Sequence, residues 1–338
     1  MLFVTNHRIE GSRHSQAGRS ITFAAGDQEP GISLFFCQRL GPEQYVELTA
    51  MPFFARLRRS RRRQVLFYIH GFNCQPEAKV FPDALRLQAL CDALDPDLAE
   101  VVTVLWPCDD DFGLVLDYWD DQLSATASGL ALGRLLGKFM AWRDRLGTEE
   151  TCLKHVNVLA HSMGNRVLVT ALSSWAHAYG TVPALFRNLF LAAADVPNDL
   201  FSPGQQGASL AAAARNVVVY HAADDFALRS SKIANVKNRI VRRRLGHTGP
   251  ADPAAAPRNV VTVDCDDFNC RYDGLGHSYL LADPQGRPGA LLRHMVATMR
   301  HGRVAGLLPD RRELLLNEGW TAPPVPANSD RPAVAAAG

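Results

Sequence analysis

His155-Val-Asn-Val-Leu-Ala-His-Ser-Met-Gly-Asn-Arg166 is an apolar, β-rich run that ends in Ala160-His-Ser-Met-Gly164 and passes at once into a helical pattern, Val167-Leu-Val-Thr-Ala-Leu172. A short strand, a tight turn with small residues on both sides of a serine, and a helix make up the sequence form of a nucleophile elbow. Lifting a hydroxyl clear of the backbone at a strand-to-helix junction forces the serine into a strained φ/ψ region. Bulky residues two before or two after it would collide with the turn. Here those neighbours are Ala160 and Gly164. Glycine is usual at both, so Ala160 adds one methyl. Alone, A-x-S-x-G arises by chance in many chains; the strand before it, the helix after it and the partners found farther along the chain give it weight.

Upstream, Val65-Leu-Phe-Tyr-Ile69 is a continuous apolar run of the kind expected for a parallel strand buried on both faces, and it ends in His70-Gly71-Phe72-Asn73. A helix is predicted from about Glu77 to Leu94, then a strand Val101–Leu105 closed by Trp106-Pro107, then a long helical stretch from about Tyr118 to Leu146 that delivers the chain to the serine strand. Downstream, Phe186–Ala194 reads as a strand ending in Asp195, and Asn216–Tyr220 as another ending in His221-Ala-Ala-Asp224-Asp225. Val260–Val263 reads as the last strand. After it come a Gly-rich loop with Gly276-His277-Ser278-Tyr279 and a C-terminal helix over Leu292–Met299. Leu2–Thr5 and Ile32–Cys37 read as opening antiparallel strands. Strands separated by helical patterns predict an α/β fold, a mostly parallel central sheet of about eight strands with helices on both faces. One domain over residues 1–318 is expected, with its core at 62–300 and N-terminal strands within 1–50, followed by a disordered Pro/Ala-rich tail over 319–338.

The chain of 338 residues is 47% hydrophobic and 21% charged, an ordinary globular composition, and its net charge of +2 argues against nucleic acid as a partner. Seven cysteines, odd in number and without regular spacing, fit a reducing compartment better than a disulfide framework. Met1–Arg8 meets charge too soon for a signal peptide, and no run approaches the roughly 18 apolar residues of a membrane span. The expected location is therefore the cytoplasm, with no integral membrane segment. Asp109, Asp110 and Asp111 read as a solvated loop rather than a metal site, and the run Arg56, Arg58, Arg59, Arg61, Arg62 and Arg63 as a solvated loop before a strand. No metal or cofactor is implied.

A serine hydroxyl is a weak nucleophile at neutral pH. Ser162 needs a base within hydrogen-bond reach, and the base needs a carboxylate to hold its tautomer. His277 is the expected base, because it follows the last strand and so falls at the carboxyl edge of the sheet, where the serine turn also sits; His221, His247 and His301 are rivals. The carboxylate candidates are Asp195, Asp224 and Asp225.

Phe3-Val-Thr-Asn6, His70-Gly-Phe-Asn73, Trp106-Pro107, Ala160-His-Ser-Met-Gly164, Asp195 and Gly276-His-Ser-Tyr279, taken in order, resemble the α/β-hydrolase superfamily across roughly residues 62–300. More closely they resemble a branch of it catalogued as a domain of unknown function. The resemblance implies the order nucleophile, acid, histidine, which Ser162, Asp225 and His277 meet. It implies that the loop at Gly71 supplies one backbone N–H to an oxyanion, so Phe72 and Met163 become the expected donors, with His70, Gly71, Asn73, His161 and Gly164 supporting. In that superfamily the acid usually follows the strand here ending at Tyr220. Asp225 therefore leads, Asp195 is second, and Asp224 is expected to cap the next helix. The function so implied is a serine hydrolase cleaving a small-molecule carboxylic ester through an acyl-enzyme. Acyl transfer, thioester or amide cleavage on the same residues, or a non-catalytic binding module on the same fold, are the alternatives. Only Val196 to Arg215 separates the strands on either side, which predicts a loop and one short helix there and an open cleft.

Overall fold

The computed structural model describes residues 1–12, 14–24, 29–108, 116–145, 154–228 and 243–324. Its centre is a sheet whose strands run β1 (Leu2–His7), β2 (Ser20–Ile21), β3 (Pro30–Gly41), β4 (Gln44–Glu47), β5 (Gln64–Ile69), β6 (Ala99–Leu105), β7 (His155–His161), β8 (Phe186–Ala192), β9 (Ala214–His221), β10 (Val260–Asp264) and β11 (Glu313–Leu315). Across the sheet the order is β11-β10-β9-β8-β7-β5-β6-β1-β3-β4-β2. From β11 to β1 every pairing is parallel; β3, β4 and β2 extend the far edge in antiparallel fashion. The mostly parallel sheet of about eight strands that was expected is present, and three further strands bring it to eleven. The three unforeseen strands, β2, β4 and β11, are two to four residues long, too short to show a period.

Side chains alternate faces along each parallel strand. Val65, Ile69, Val158, Ala160, Leu189, Leu191, Val217 and Val219 pack on one side against α1 (Ala50–Arg59), α3 (Leu116–Arg145), α4 (Gly164–Tyr179) and α5 (Gly207–Ala213). Leu66, Tyr68, Leu159, Phe190, Val218 and Tyr220 pack on the other against α2 (Phe81–Leu94) and the C-terminal helix Ala290–His301. This double burial is why the strands read as continuous apolar runs.

Three readings of the sequence change. The arginine run begins inside α1 and not in a loop. Phe53, Phe54 and Leu57 are buried on one face, Arg56, Arg58 and Arg59 close the last turn where the helix dipole favours cations, and only Arg61–Arg63 lead into β5. The helix expected from Glu77 starts with a π-helical turn, Pro76–Val80, before α2. β1 is antiparallel to β3 on one side but parallel to β6 on the other, so it belongs to the parallel sheet. Near the C-terminal end of the described residues, Arg293 donates to the carbonyl oxygens of Glu318 and Trp320 and the Trp320 ring lies 5.2 Å from that of His294. Residues 325–338, 229–242 and Asp109–Asp111 lie outside the described residues. Between β8 and β9 the expected loop and single short helix, α5, are present.

Candidate active site

At the junction of β7 and α4, Ser162 has φ +52°, a left-handed conformation that costs a non-glycine residue about 1–3 kcal/mol. The surroundings hold it there. Ser162 N–H donates to the Ala192 carbonyl (3.0 Å), and its own carbonyl accepts from the backbone N–H of Asn165 (3.1 Å) and Asp195 (3.2 Å). The Asn165 side chain, fully buried, donates Nδ2–H to the carbonyls of Ala160 (3.1 Å) and Ser162 (3.0 Å) and so ties both arms of the turn. Sequence reading missed Asn165; its one signal was an amide at the start of an otherwise apolar helix. A Cβ at Gly164 would lie 2.4 Å from the His70 carbonyl oxygen, so glycine is obligatory there. Ala160 is tolerated because it pairs with Ile69 across β5 and β7 and its methyl joins the core.

His277 comes to the serine from 115 residues away, its Nε2 2.9 Å from Ser162 Oγ. Its Nδ1 lies 2.7 Å from Asp225 Oδ2. A carboxylate only accepts, so Nδ1 carries the proton and Nε2 accepts from the serine hydroxyl. Asp225 is fully buried, and its Oδ1 accepts the Leu228 N–H (2.9 Å), the capping bond expected of Asp224. Asp224 instead accepts from Asn269 Nδ2 (2.5 Å), which also donates to the Gly276 carbonyl (3.1 Å). Gly276 has φ +67°, and the N–H groups of His277 and Ser278 both donate to Asp273 Oδ2 (2.8 and 2.9 Å). The His277 loop is therefore pinned on its outer side by Asp273 and Asn269.

Asp195 goes elsewhere. Its Oδ1 is 3.0 Å from Arg244 Nε, both side chains are almost wholly buried, and the pair ties the loop after β8 to the chain returning at Arg244. His221 ends β9 and His247 lies in a short turn of helix, Leu245–Thr248.

The Gly71 loop lies against the serine: a Cβ on Gly71 would sit 3.0 Å from Ser162 Cβ. Its rigidity comes from His70 and Trp106, stacked at 5.1 Å and 7°. Trp106 N–H donates to His70 Nε2 (3.2 Å), His70 Nδ1 donates to the Gly71 carbonyl (2.9 Å), and Trp106 Nε1–H donates to the His70 carbonyl (2.9 Å). Burial holds the His70 pKa down to about 4, so the ring is neutral and its tautomer fixed. Phe72 packs partly buried on the core, Met163 is fully buried, and Asn73 takes the left-handed φ of +53° that closes the loop. Among the described residues no cluster of three or more His, Cys, Asp or Glu is arranged to hold a metal ion, and no helix is long and apolar enough to cross a membrane.

A parallel sheet flanked by helices, with a strained serine at a strand-to-helix turn on its carboxyl edge, defines the α/β hydrolases. The chain belongs to the family described as alpha/beta hydrolase of unknown function (DUF900), whose model matches residues 48–293. No curated protein and no solved structure matches the chain.

Proposed function

We propose that this α/β hydrolase is a serine esterase, acting on a small-molecule carboxylic ester with Ser162 as nucleophile, His277 as general base and acid, and Asp225 as the carboxylate that holds the histidine. Ser162 Oγ attacks the ester carbonyl carbon while its proton passes to His277 Nε2; the tetrahedral oxyanion is taken by the backbone N–H groups of Phe72 and Met163. His277 then returns the proton to the departing alkoxide, leaving an acyl-serine. Water attacks the acyl-serine by the same route in reverse, and the free acid and serine are restored. The observation that carries the reading is the unbroken hydrogen-bonded chain from Asp225 through His277 to a serine in a strained turn. Thioester, amide or acyl-acceptor chemistry would use the same atoms, since leaving-group choice lives in the pocket and not in these residues. The proposal requires no cofactor. Its cytoplasmic setting rests on cysteine usage.

A fluorophosphonate probe tests this directly. Labelling of the native protein at Ser162, together with turnover of p-nitrophenyl esters, is expected. A protein that neither labels nor hydrolyses any ester of a short-to-long chain series would be a binding module on this fold instead.

A further inference from the structure

Between the strand that carries Ser162, the loop that carries His277 and the loop that carries Gly71 stands an imidazole that the proposed chemistry does not consume. His161 is the last residue of β7. Its Nε2 lies 3.3 Å from the His277 carbonyl oxygen, and the two rings are 5.0 Å apart at 45°. On the other side its Nδ1 is 3.1 Å from where a Gly71 Cβ would stand. A carbonyl only accepts, so Nε2 carries the proton and Nδ1 presents a bare lone pair toward Gly71. Part of the residue reaches solvent, yet burial first and the His277 charge second hold its pKa down to about 3; Lys79 and His70 add to the same direction. The ring therefore stays neutral, and keeps this tautomer, while His277 gains and loses a proton beside it.

We propose that His161 is a positioning residue that fastens the base loop to the serine strand from the inner side, through its Nε2–H bond to the His277 carbonyl, and at the same time backs the Gly71 loop. The proposal rests on reading Ser162 and His277 as the reacting pair. Asp273 and Asn269 hold the base loop from its outer side. Without His161 the backbone of the His277 loop is held from its outer side alone while the ring keeps its bond to Asp225, and a displacement of about 1 Å at such a pair costs up to about a hundredfold in rate.

Two variants separate positioning from mere filling of space. His161→Gln keeps an N–H donor near the Nε2 position, whereas His161→Leu keeps bulk and loses the donor. Fluorophosphonate labelling rate, kcat and KM for p-nitrophenyl acetate, and the downfield proton resonance of His277 Nδ1–H are measured on all three proteins, with thermal melting as a control. The Leu variant is expected to label and turn over roughly 10- to 100-fold more slowly with KM unchanged and to broaden or shift the downfield proton, while the Gln variant stays within about threefold of native. Equal rates and resonances in the native and Leu proteins, or equal losses in the Gln and Leu variants, would overturn the role. If the Leu variant melts below the assay temperature, His161→Met carries the same comparison against Gln. A native protein that does not label sinks the esterase reading, whereas the resonance comparison still decides the fate of His161.

Discussion

Two buried polar chains lie at opposite ends of the same strands, and they are built from different groups. At the carboxyl edge, Asp225, His277 and Ser162 come from three separate loops and are joined by hydrogen bonds. At the amino edge, four amides run across neighbouring strands in one direction. Asn216 on β9 donates to Asn188 on β8 (2.8 Å), Asn188 to Asn157 on β7 (2.7 Å), Asn157 to Gln64 on β5 (2.9 Å), and Gln64 to the Met299 carbonyl at the end of the C-terminal helix (3.1 Å). Amides do not titrate, and each here finds a donor or acceptor of its own kind. A slip of one residue would turn an amide onto the opposite face and leave its neighbours unpaired, so the ladder sets the register on which the other edge depends. One sheet thus separates the two kinds of polar group: amides of fixed charge where strands must align, and titratable side chains where the loops converge.

The largest effect is expected at the serine. Ser162→Ala is expected to lose about 10⁶-fold in kcat and all probe labelling, with thermal melting unchanged or raised, because only a hydroxyl leaves a strained position. Unaltered hydrolysis by this variant would remove chemistry from the carboxyl edge altogether.

Next come the two carboxylates. Asp225→Asn should lower kcat about 10⁴-fold by spoiling the tautomer of His277. Asp195→Asn should spare the rate in the folded protein but cost about 3–5 kcal/mol of stability, since it removes the carboxylate from a buried ion pair. The opposite ranking in turnover and in denaturant midpoint would exchange their roles.

Acid should act on the histidines and not on the ladder. His70 and His294 are fully buried, each with its pKa lowered from 6.5 to about 4 by burial. Between these values the unfolded chain binds protons that the folded one does not, so the contribution of the two rings is complete above about pH 6.5 and falls by roughly 3 kcal/mol per pH unit on the way to pH 4, with His161, held down to about 3, acting in the same direction. Urea melts from pH 7 to 4 check this. A flat stability profile over that window would mean that neither ring is held neutral.

The smallest effect belongs to the amide ladder. Asn188→Leu should cost about 2–3 kcal/mol by leaving the Asn157 oxygen without a donor, while the folded fraction still labels at the native rate. A loss of labelling without a loss of stability would show that the two edges are not separate.

Ser162, its flanking small residues and the strand–turn–helix around it were legible because they are local: the turn's strain and the apolar period are both written in adjacent residues. The parallel α/β architecture was legible for the same reason. His277 could be nominated from its place after a strand, but its partner could not be chosen on local grounds. Asp195, Asp224 and Asp225 all end strands, and the choice among them depends on contacts 52 residues apart for His277 and on Arg244 claiming Asp195. Asn157, Asn188 and Asn216 each stand third in their strand, a repetition visible in the sequence, yet an amide in an apolar run shows no partner until register is known. The sequence by itself determined the elements, their order and the strained serine, because steric and hydrophobic preferences act over a few residues. Only the tertiary structure decided which acid meets the histidine, which amides meet each other and where His161 points, because hydrogen bonds are short-ranged in space and indifferent to distance along the chain.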